Sequence, residues 1–357
     1  MVTGWRLKRE SKVTIIKDYS LEFTVHRVFP ESIKIEWNTL LEESISHVPF
    51  LRYEYLHTWW QTRGGGEWLE AELAIITAEE EGRLIGIAPL FMANHAGKLE
   101  LLFLGSIEIS DYLDLIVREG DLNRFVEGTL DFLLRTEDLN WESLDLYNLL
   151  DGTPSLIALE QAAARMGIVI ETTRLQHSPF IPLPGDWETY LAGIDKKQRH
   201  EIRRKMRRVE EAGAAVRWYI VEDSSTLEAE TNAFLSLMEN DEDKLKFLTE
   251  RMREHIHRTI RCAFDAGCLQ LAFLEVNSEK AAGYLSFDYL GRMWIYNSGL
   301  DWKFSEYSPG WVLLGNLIRS AIETGHTEFD FMRGDEEYKY RFGAVDRFVM
   351  RLVISKN

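Results

Sequence analysis

Cysteine is scarce in this sequence, because Cys262 and Cys268 are its only two among 357 residues. Two cysteines close together in one predicted helix form neither a disulfide framework nor a set of metal ligands. No window approaches the roughly 20 apolar residues of a membrane-spanning helix. The N-terminal MVTGWRLKRESKVTIIKDYS also lacks the apolar region of a secretory signal. These absences predict a soluble protein of the cytoplasm with no transmembrane segment.

The sequence also has fewer basic than acidic residues. It contains 41 Lys and Arg residues and 58 Asp and Glu residues, and its formal charge is −17. Such a surface repels nucleic acids, which excludes DNA and disfavours transfer RNA as a partner. The sequence has no His-Glu-x-x-His motif and no Gly-x-Ser-x-Gly motif. Neither a metal site nor a serine nucleophile is therefore predicted.

The two halves of the sequence contain a repeated order of predicted elements. LAIITAEEEGRLIGIAPLFM (Leu73–Met92) and LAFLEVNSEKAAGYLSFDYL (Leu271–Leu290) each predict two strands around a polar turn. Both are followed by a third strand, a helix and a strand that carries an aspartate. These later pieces are Lys98–Ser106, Leu122–Arg135 and Asp145 in the first half, and Arg292–Leu300, Trp311–Thr324 and Asp330 in the second.

The repeated order predicts an α/β (α+β) fold with two similar domains in tandem. Each domain is expected to be a mixed, mostly antiparallel sheet flanked by helices. The prolines of HSPFIPLPGDW (His177–Trp187) favour an extended linker. We therefore predict domains at 1–180 and 181–357.

Six motifs in this order resemble a tandem GNAT N-acetyltransferase fold, and more closely the CelD-like acetyltransferases, which are relatives of Fem-type aminoacyl ligases. The motifs are VPFLRYEYLHTWW (Val48–Trp60), GRLIGIAPL (Gly82–Leu90), FLGSIEISDYLDLIV (Phe103–Val117), KKQRHEIRRKMRRVEEAG (Lys196–Gly213), SPGWVLLGNLI (Ser308–Ile318) and FDFMRGDEEYKYRFG (Phe329–Gly343). The resemblance implies an enzyme that transfers an acyl group from acetyl-CoA or another acyl-CoA to an amine, with no tightly bound cofactor. The family's association with polysaccharide and envelope synthesis implies a small-molecule, lipid-linked or nucleotide-linked sugar acceptor. A monomer or a homodimer is expected.

The segment YSPGWVLLGNLIRSAIETG (Tyr307–Gly325) predicts a helix with Ser308 as its N-cap and Gly325 at its end. A helix start at Gly310 also suits a pyrophosphate, because backbone N–H groups can approach it there. The resemblance places the donor at Ser308, Gly310 and Trp311. It adds Tyr296 and Asn297 of the preceding strand, whose alternative role is ordinary strand packing.

A basic run, KKQRHEIRRKMRR, places eight Lys or Arg residues within Lys196–Arg208. Its apolar residues recur at helical spacing, so a solvated amphipathic helix is one interpretation. The other is anion binding, for which Lys197, Arg199 and Arg203 occupy the basic positions of the family pattern. A nucleotide-sugar diphosphate, a polyprenyl phosphate or the phosphates of CoA would suit.

The stretch TEFDFMRGDEEYKYRF (Thr327–Phe342) concentrates carboxylates, cations and aromatic rings. Acyl transfer needs a base for the acceptor ammonium and an acid for the leaving thiolate. We assign the base to Asp330 or Glu336 and the acid to Tyr338 or Tyr307. Arg333 and Lys339 are candidates for fixing an anionic acceptor. The alternative is a set of intramolecular ion pairs.

For Asp111, Tyr112 and Asp114 in SDYLDL, the resemblance implies a role in acceptor binding or in the domain interface, and the alternative is that they are turn residues before a strand. Without a nearby histidine, the two aspartates are a poor metal signature. Two other functions stay open beside acyl-CoA-dependent transfer. One is an aminoacyl-tRNA-dependent Fem-like ligase, and the other is a non-catalytic protein that binds an anionic glycan precursor.

Overall fold

The structure is a computed structural model that describes residues 13–16, 20–211 and 213–356. Its strands are β1 (Val13–Ile16), β2 (Leu21–His26), β3 (Ala71–Leu73), β4 (Ile75–Glu80), β5 (Arg83–Ala88), β6 (Leu90–His95), β7 (Lys98–Phe103), β8 (Ile116–Val117), β9 (Ser143–Leu150), β10 (Ile170–His177), β11 (Phe180–Pro182), β12 (Val216–Ile220), β13 (Leu269–Val276), β14 (Glu279–Tyr289), β15 (Arg292–Leu300), β16 (Glu328–Asp330) and β17 (Phe348–Ser355).

The α-helices are α1 (Lys34–Glu42), α2 (Tyr53–Gly66), α3 (Leu122–Arg135), α4 (Pro154–Met166), α5 (Trp187–Gly193), α6 (Lys196–Glu210), α7 (Leu227–Met238), α8 (Glu242–Phe247), α9 (Glu250–Asp265), α10 (Pro309–Glu323) and α11 (Glu337–Arg341). Cys262 lies in α9, but Cys268 lies beyond its end, so the prediction of one helix for both was wrong. Within the described ranges, no helix combines the length and apolar character needed to cross a membrane.

The chain divides into two compact units. The first contains the described residues up to His57, Trp68–Leu175 and the C-terminal residues from Met350. The second contains Thr58–Glu67 and Gln176–Val349. Each unit therefore borrows a short segment from the other half of the sequence.

The second unit is built on one six-stranded sheet in the order β11-β16-β15-β14-β13-β12. The pairs β12·β13, β13·β14 and β14·β15 are antiparallel, whereas β15 and β16 are parallel. Helix α10 connects those two parallel strands and buries its apolar face, including Leu313, Leu317 and Ile318, in the core. This arrangement confirms the prediction of a mixed, mostly antiparallel sheet.

The first unit repeats the same order of elements. β4 and β5 form the predicted hairpin, β7 and β9 are parallel, and α3 connects β7 to β9. A glycine lies at the matching position of each hairpin. A Cβ on Gly86 would lie 2.5 Å from the Phe125 ring, and one on Gly283 would lie 3.0 Å from Phe273. Both glycines therefore allow an aromatic ring to pack directly on the strand.

The units differ at the second strand of the hairpin. In the second unit, β14 is continuous and pairs with both β13 and β15. In the first unit, Pro89 separates β5 from β6, and the two strands enter different sheets, β1-β2-β4-β5-β8 and β10-β17-β9-β7-β6-β3. Proline has no N–H to donate to a ladder, which explains the break. The single strand predicted at this place in the first half was therefore wrong.

Candidate active site

The second unit has a cleft of about 340 Å³ at the start of α10. Its lining is mostly apolar and aromatic, as is usual for small-molecule sites. The lining residues are Tyr284, Ser298, Leu300, Asp301, Trp302, Ser305, Ser308, Pro309, Gly310, Trp311, Leu314, Tyr338 and Phe342. Four of the residues predicted from sequence, Ser308, Gly310, Trp311 and Tyr338, meet here.

One wall of the cleft is the end of β15. β16 pairs with β15 only at Arg292–Trp294, so among the described residues 295–300 have no strand partner on that side. The register of β14 and β15 shifts between Leu285 and Ser286, which makes Tyr296 an extra, bulged residue of β15. A bulge next to an unpaired edge can present backbone groups to an extended ligand, although the Ser298 and Leu300 carbonyls already accept from Lys244 and Asn240.

The opposite wall is the start of α10. Ser308 has a left-handed backbone (φ 49°), and its side chain makes no capping hydrogen bond, which corrects the predicted side-chain cap. Gly310 lies close to β15, because a Cβ there would be 2.7 Å from Leu300 Cδ2. The Trp311 ring contacts Phe342 at 4.6 Å between centroids, and Lys205 Nζ lies 4.1 Å from its centre. Tight packing therefore holds the helix start against the strand.

Tyr338 and Tyr284 place two phenols in the cleft. Burial raises the pKa of Tyr338 well above its usual value, and the neighbouring Tyr284 and Glu336 raise that pKa further. Burial also raises the pKa of Tyr284. Both phenols are therefore protonated at neutral pH and can donate a proton or a hydrogen bond.

A basic groove runs along α6 beside the cleft. Its lining residues are His200, Arg203, Arg204, Arg207, Arg208, Glu211, Glu306 and Tyr307. Tyr307 lines the groove and Ser308 lines the cleft, so the two depressions adjoin along the chain. A ligand with an anionic end and an apolar end could occupy both.

The predicted anion-binding residues have different surroundings. Arg199 donates to the carbonyls of Leu191 and Ala192 at the end of α5, and Arg203 pairs with Glu188. Lys197 is exposed, with no ion-pair partner among the described side chains. The prediction that this basic run forms a helix is confirmed by α6. Two of the three cations selected for anion binding, Arg199 and Arg203, already have intramolecular partners.

Asp330 lies in an ion pair. Its side chain is fully buried, one oxygen is bound by Arg347, and the other accepts from the Met332 N–H at 2.7 Å. Asp145, its counterpart in the first unit, is bound by Arg351 at 2.7 and 2.6 Å. Both arginines come from β17 and the residue just before it. Because the same pair occurs in both units, we interpret Asp330 as a structural ion-pair partner rather than as the catalytic base.

Lys339 is almost fully buried as well. Its ammonium donates to the carbonyls of Arg333 (2.8 Å) and Gly334 (3.1 Å), and it pairs with Glu336 at 2.9 Å. Lys339 therefore shapes the 332–334 loop from inside. Glu336 keeps an exposed carboxylate, with 58% of its side chain accessible, so it stays the better candidate base.

Asp111, Tyr112 and Asp114 lie in the first unit. Tyr112 and Asp114 are buried, and Asp111 is partly exposed. Asp114 accepts hydrogen bonds from Ser155 and from Thr153 (2.9 Å) at the start of α4. Asp114 is thus part of the internal support of a helix start.

Asp114 gives a pH prediction. Burial raises its pKa to about 6, above the usual value of an aspartate. In that window the folded protein binds more protons than the unfolded chain, so stability falls as pH rises from about 4 to about 6. Asp114→Asn has no proton to lose and is expected to flatten this dependence. Urea unfolding across the window measures it, and an unchanged slope in the variant would contradict the assignment.

His95, Glu100 and Asp145 bring three potential metal ligands within 4.8 Å in the first unit. Arg351 already neutralises Asp145, while His95 and Ser143 bind Glu100 at 2.8 and 3.0 Å. The cluster works as a closed hydrogen-bond network, in which a metal ion would compete with a fixed guanidinium.

Comparison with known proteins defines the fold. A family model described as an acetyltransferase (GNAT) domain matches residues 196–340. The structure of FemX superposes with a TM-score of 0.62 at 10% identity, covering 88% of this chain and 95% of that chain. The C-terminal domain of an Agrobacterium fabrum protein described as a lysylphosphatidylglycerol synthetase gives 0.55 at 11% identity, with 92% of each chain covered.

A Bacteroides thetaiotaomicron protein of unknown function gives a TM-score of 0.59 at 10% identity, with coverage of 93% and 99%. Residues 196–340 therefore match a GNAT domain, and the chain as a whole shares the fold of FemX. None of the curated proteins matches the sequence significantly. The matched residues include β15, the start of α10 and Tyr338, so all of the residues that line the cleft except Phe342 lie within the match.

Sequence reasoning missed part of this GNAT site. Trp302 and Tyr284 line the cleft, and Arg207 and Arg208 line the groove, yet none was selected. Trp302 is 62% exposed, which its place in the sequence does not reveal. Tyr296 and Asn297 are near the bulge, where Asn297 Oδ1 accepts from the Ser298 N–H at 2.8 Å.

Proposed function

We propose that this protein is an N-acyltransferase that moves an acyl group, with acetyl as the first choice, from acyl-CoA to an amine. The apolar cleft between the unpaired edge of β15 and the start of α10 carries this proposal. An extended donor arm can add to the edge as a strand would. Phosphates would then lie near the N-terminus of α10, where backbone N–H groups favour anions. In this arrangement Tyr296 and Asn297 are beside the acyl group, and Ser308, Gly310 and Trp311 are beside the arm.

The proton transfers follow from the side chains in and near the cleft. The acceptor enters as an ammonium ion and must lose a proton before its nitrogen can attack. Glu336 is our candidate for receiving that proton, directly or through water. Tyr338 is the candidate acid that protonates the departing thiolate. Asp330 takes no part in these transfers because it is paired with Arg347, and Lys339 fixes the loop that carries Arg333.

Donor binding is the first test. A thermal-shift panel of acyl-CoAs of increasing length should raise the melting temperature, because a ligand that binds only the folded state stabilises it. Trp311→Ala removes a wall of the cleft and should weaken this shift. Trp218→Ala changes a partly exposed tryptophan on β12 and serves as the matched control. The proposal would be abandoned if neither acetyl-CoA nor any longer acyl-CoA binds at millimolar concentration.

The basic groove supports an anionic acceptor, such as an amino sugar carried by a nucleotide or lipid phosphate. Four arginines line it within a strongly acidic protein. Arg207 and Arg208 are exposed and have no ion-pair partner among the described side chains. A phosphate group would supply the charge that these guanidiniums lack.

Two double variants with the same change in charge decide which end of α6 binds the anion. Arg207→Glu with Arg208→Glu should weaken pyrophosphate binding by about tenfold or more and reduce its salt dependence. Lys196→Glu with Lys197→Glu alters the other end and should have the smaller effect. Titration calorimetry at two salt concentrations measures both. The reverse order of effects would restore Lys197 as the anion site.

An aminoacyl-tRNA-dependent ligase is the second candidate, because the same groove could contact a nucleic-acid backbone. The net charge of −17 opposes this partner. Ribonuclease treatment of a transfer reaction decides between the two, since only the ligase would lose activity.

A further inference from the structure

Lys244 is an amine that the proposed reaction does not use. It lies on α8, where its Nζ donates to the backbone carbonyl of Ser298 at 2.5 Å. Asn240 donates to the carbonyl of Leu300 at 2.9 Å. Two side chains thus occupy carbonyls two residues apart on β15. Carbonyls at this spacing point to the same side of a strand, so Lys244 reaches the strand that forms one wall of the cleft.

A small cavity surrounds this amine. It is about 40 Å³ in volume and is lined by Leu237, Met238, Asp241, Lys244, Ser298, Gly299, Leu300 and Trp302. Ser298, Leu300 and Trp302 also line the cleft. The cavity and the cleft therefore share a wall that includes residues of β15, which places Lys244 beside the cleft assigned to the donor.

The surroundings of Lys244 shift its amine toward the neutral form. Burial lowers its pKa, against the opposing effect of the Asp241 and Glu336 carboxylates. A neutral amine can donate one N–H to Ser298 and still keep a lone pair for attack, whereas an ammonium ion has none. Lys246, two residues away, is exposed and pairs with Asp243 at 3.0 Å.

We propose that Lys244 is a self-acylation site that takes the acyl group of the bound thioester. This inference rests on the proposed acyl-CoA donor. Nζ attacks the thioester carbonyl carbon, so the C–N bond forms, the C–S bond breaks, and the proton lost by Nζ protonates the departing thiolate. The products are an amide on Lys244 and free CoA. Acylation replaces the amine by a neutral amide and places an acyl chain against Trp302, so the modified protein should bind further donor more weakly.

The test incubates the full chain with acetyl-CoA and locates acetyl groups by peptide mass spectrometry, with donor binding measured on the same samples by calorimetry. Lys244 should react about tenfold or more faster than Lys246, because Lys244 lies beside the cleft that holds the donor and Lys246 is exposed. Lys246→Arg should leave this reaction intact, and heat-denatured protein should lose the preference.

Each other outcome overturns the inference. Donor binding without acetylation of Lys244 overturns self-acylation alone and leaves the proposed function standing. Equal rates of acetylation at Lys244 and Lys246 would show non-specific chemistry. That result would also overturn self-acylation and leave the proposed function standing. Absence of donor binding overturns both proposals. Lys244→Arg gives a second readout, because its donor affinity should no longer fall during incubation with acetyl-CoA.

Discussion

Arg347→Ala should lower the free energy of unfolding by about 3 kcal/mol, the lower end of the range for breaking a buried ion pair. The variant leaves the fully buried Asp330 carboxylate without its cation, and it also removes a contact with Glu328 at 3.2 Å. The lower end applies because 17% of the Arg347 side chain is accessible, so water can replace part of what is lost. Urea unfolding followed by tryptophan fluorescence measures the change.

The matched control is Arg341→Ala on α11. Arg341 pairs with Glu337 at 2.7 Å, but both side chains are exposed. An exposed helical pair contributes only about 0.3–0.5 kcal/mol. If Arg347→Ala and Arg341→Ala unfold at the same urea concentration, the Asp330 pair does not hold the second unit together.

Asp330→Asn separates the two roles considered for this carboxylate. If Asp330 is the base, the substitution should abolish transfer and leave the unfolding midpoint unchanged. If Asp330 is a structural partner of Arg347, the substitution should lower the unfolding midpoint, because an amide cannot neutralise the guanidinium. The second outcome is expected, because Asp145 makes the same kind of pair with Arg351 in the first unit.

The repeated order of elements was predictable because hydrophobic periodicity and turn residues are local signals. Helix α3 has the predicted bounds, and α10 begins at Pro309, directly after the predicted N-cap Ser308. The placement of β17 was not predictable. Its pairing partners lie far away in sequence, and no local pattern in Phe348–Ser355 distinguishes one sheet from another.

The site was harder to predict, because side-chain roles depend on burial. Asp330 and Glu336 look alike in the sequence, yet one lies buried under an arginine and the other reaches solvent. Lys339 looked like a surface cation for an anionic acceptor and instead binds loop carbonyls from inside. The density of charged residues drew attention to Thr327–Phe342. The role of each charged side chain in that segment depends on its packing, which the sequence does not show.

Tyr338→Phe should lower kcat by about 10²–10⁴-fold, the usual contribution of a positioned acid. The substitution keeps the ring that packs on Phe331 and removes only the hydroxyl, so the unfolding midpoint should change little. Thiol release from acetyl-CoA, with amino sugars as the first acceptors, measures the rate. Tyr340→Phe is the control, because its hydroxyl contacts Asp346 at 3.2 Å and does not line the cleft.

The leaving group distinguishes an acid from a residue that only shapes the cleft. A thioester of a more acidic thiol needs less protonation as it departs, so the defect of Tyr338→Phe should shrink with such a donor. A shape defect would be equal for both donors and would appear in KM rather than in kcat. Because the raised pKa keeps Tyr338 protonated, activity of the unmodified protein should also persist above the usual pKa of tyrosine. A defect of equal size with both thioesters would remove Tyr338 from the chemistry and leave Tyr284 as the phenol to examine.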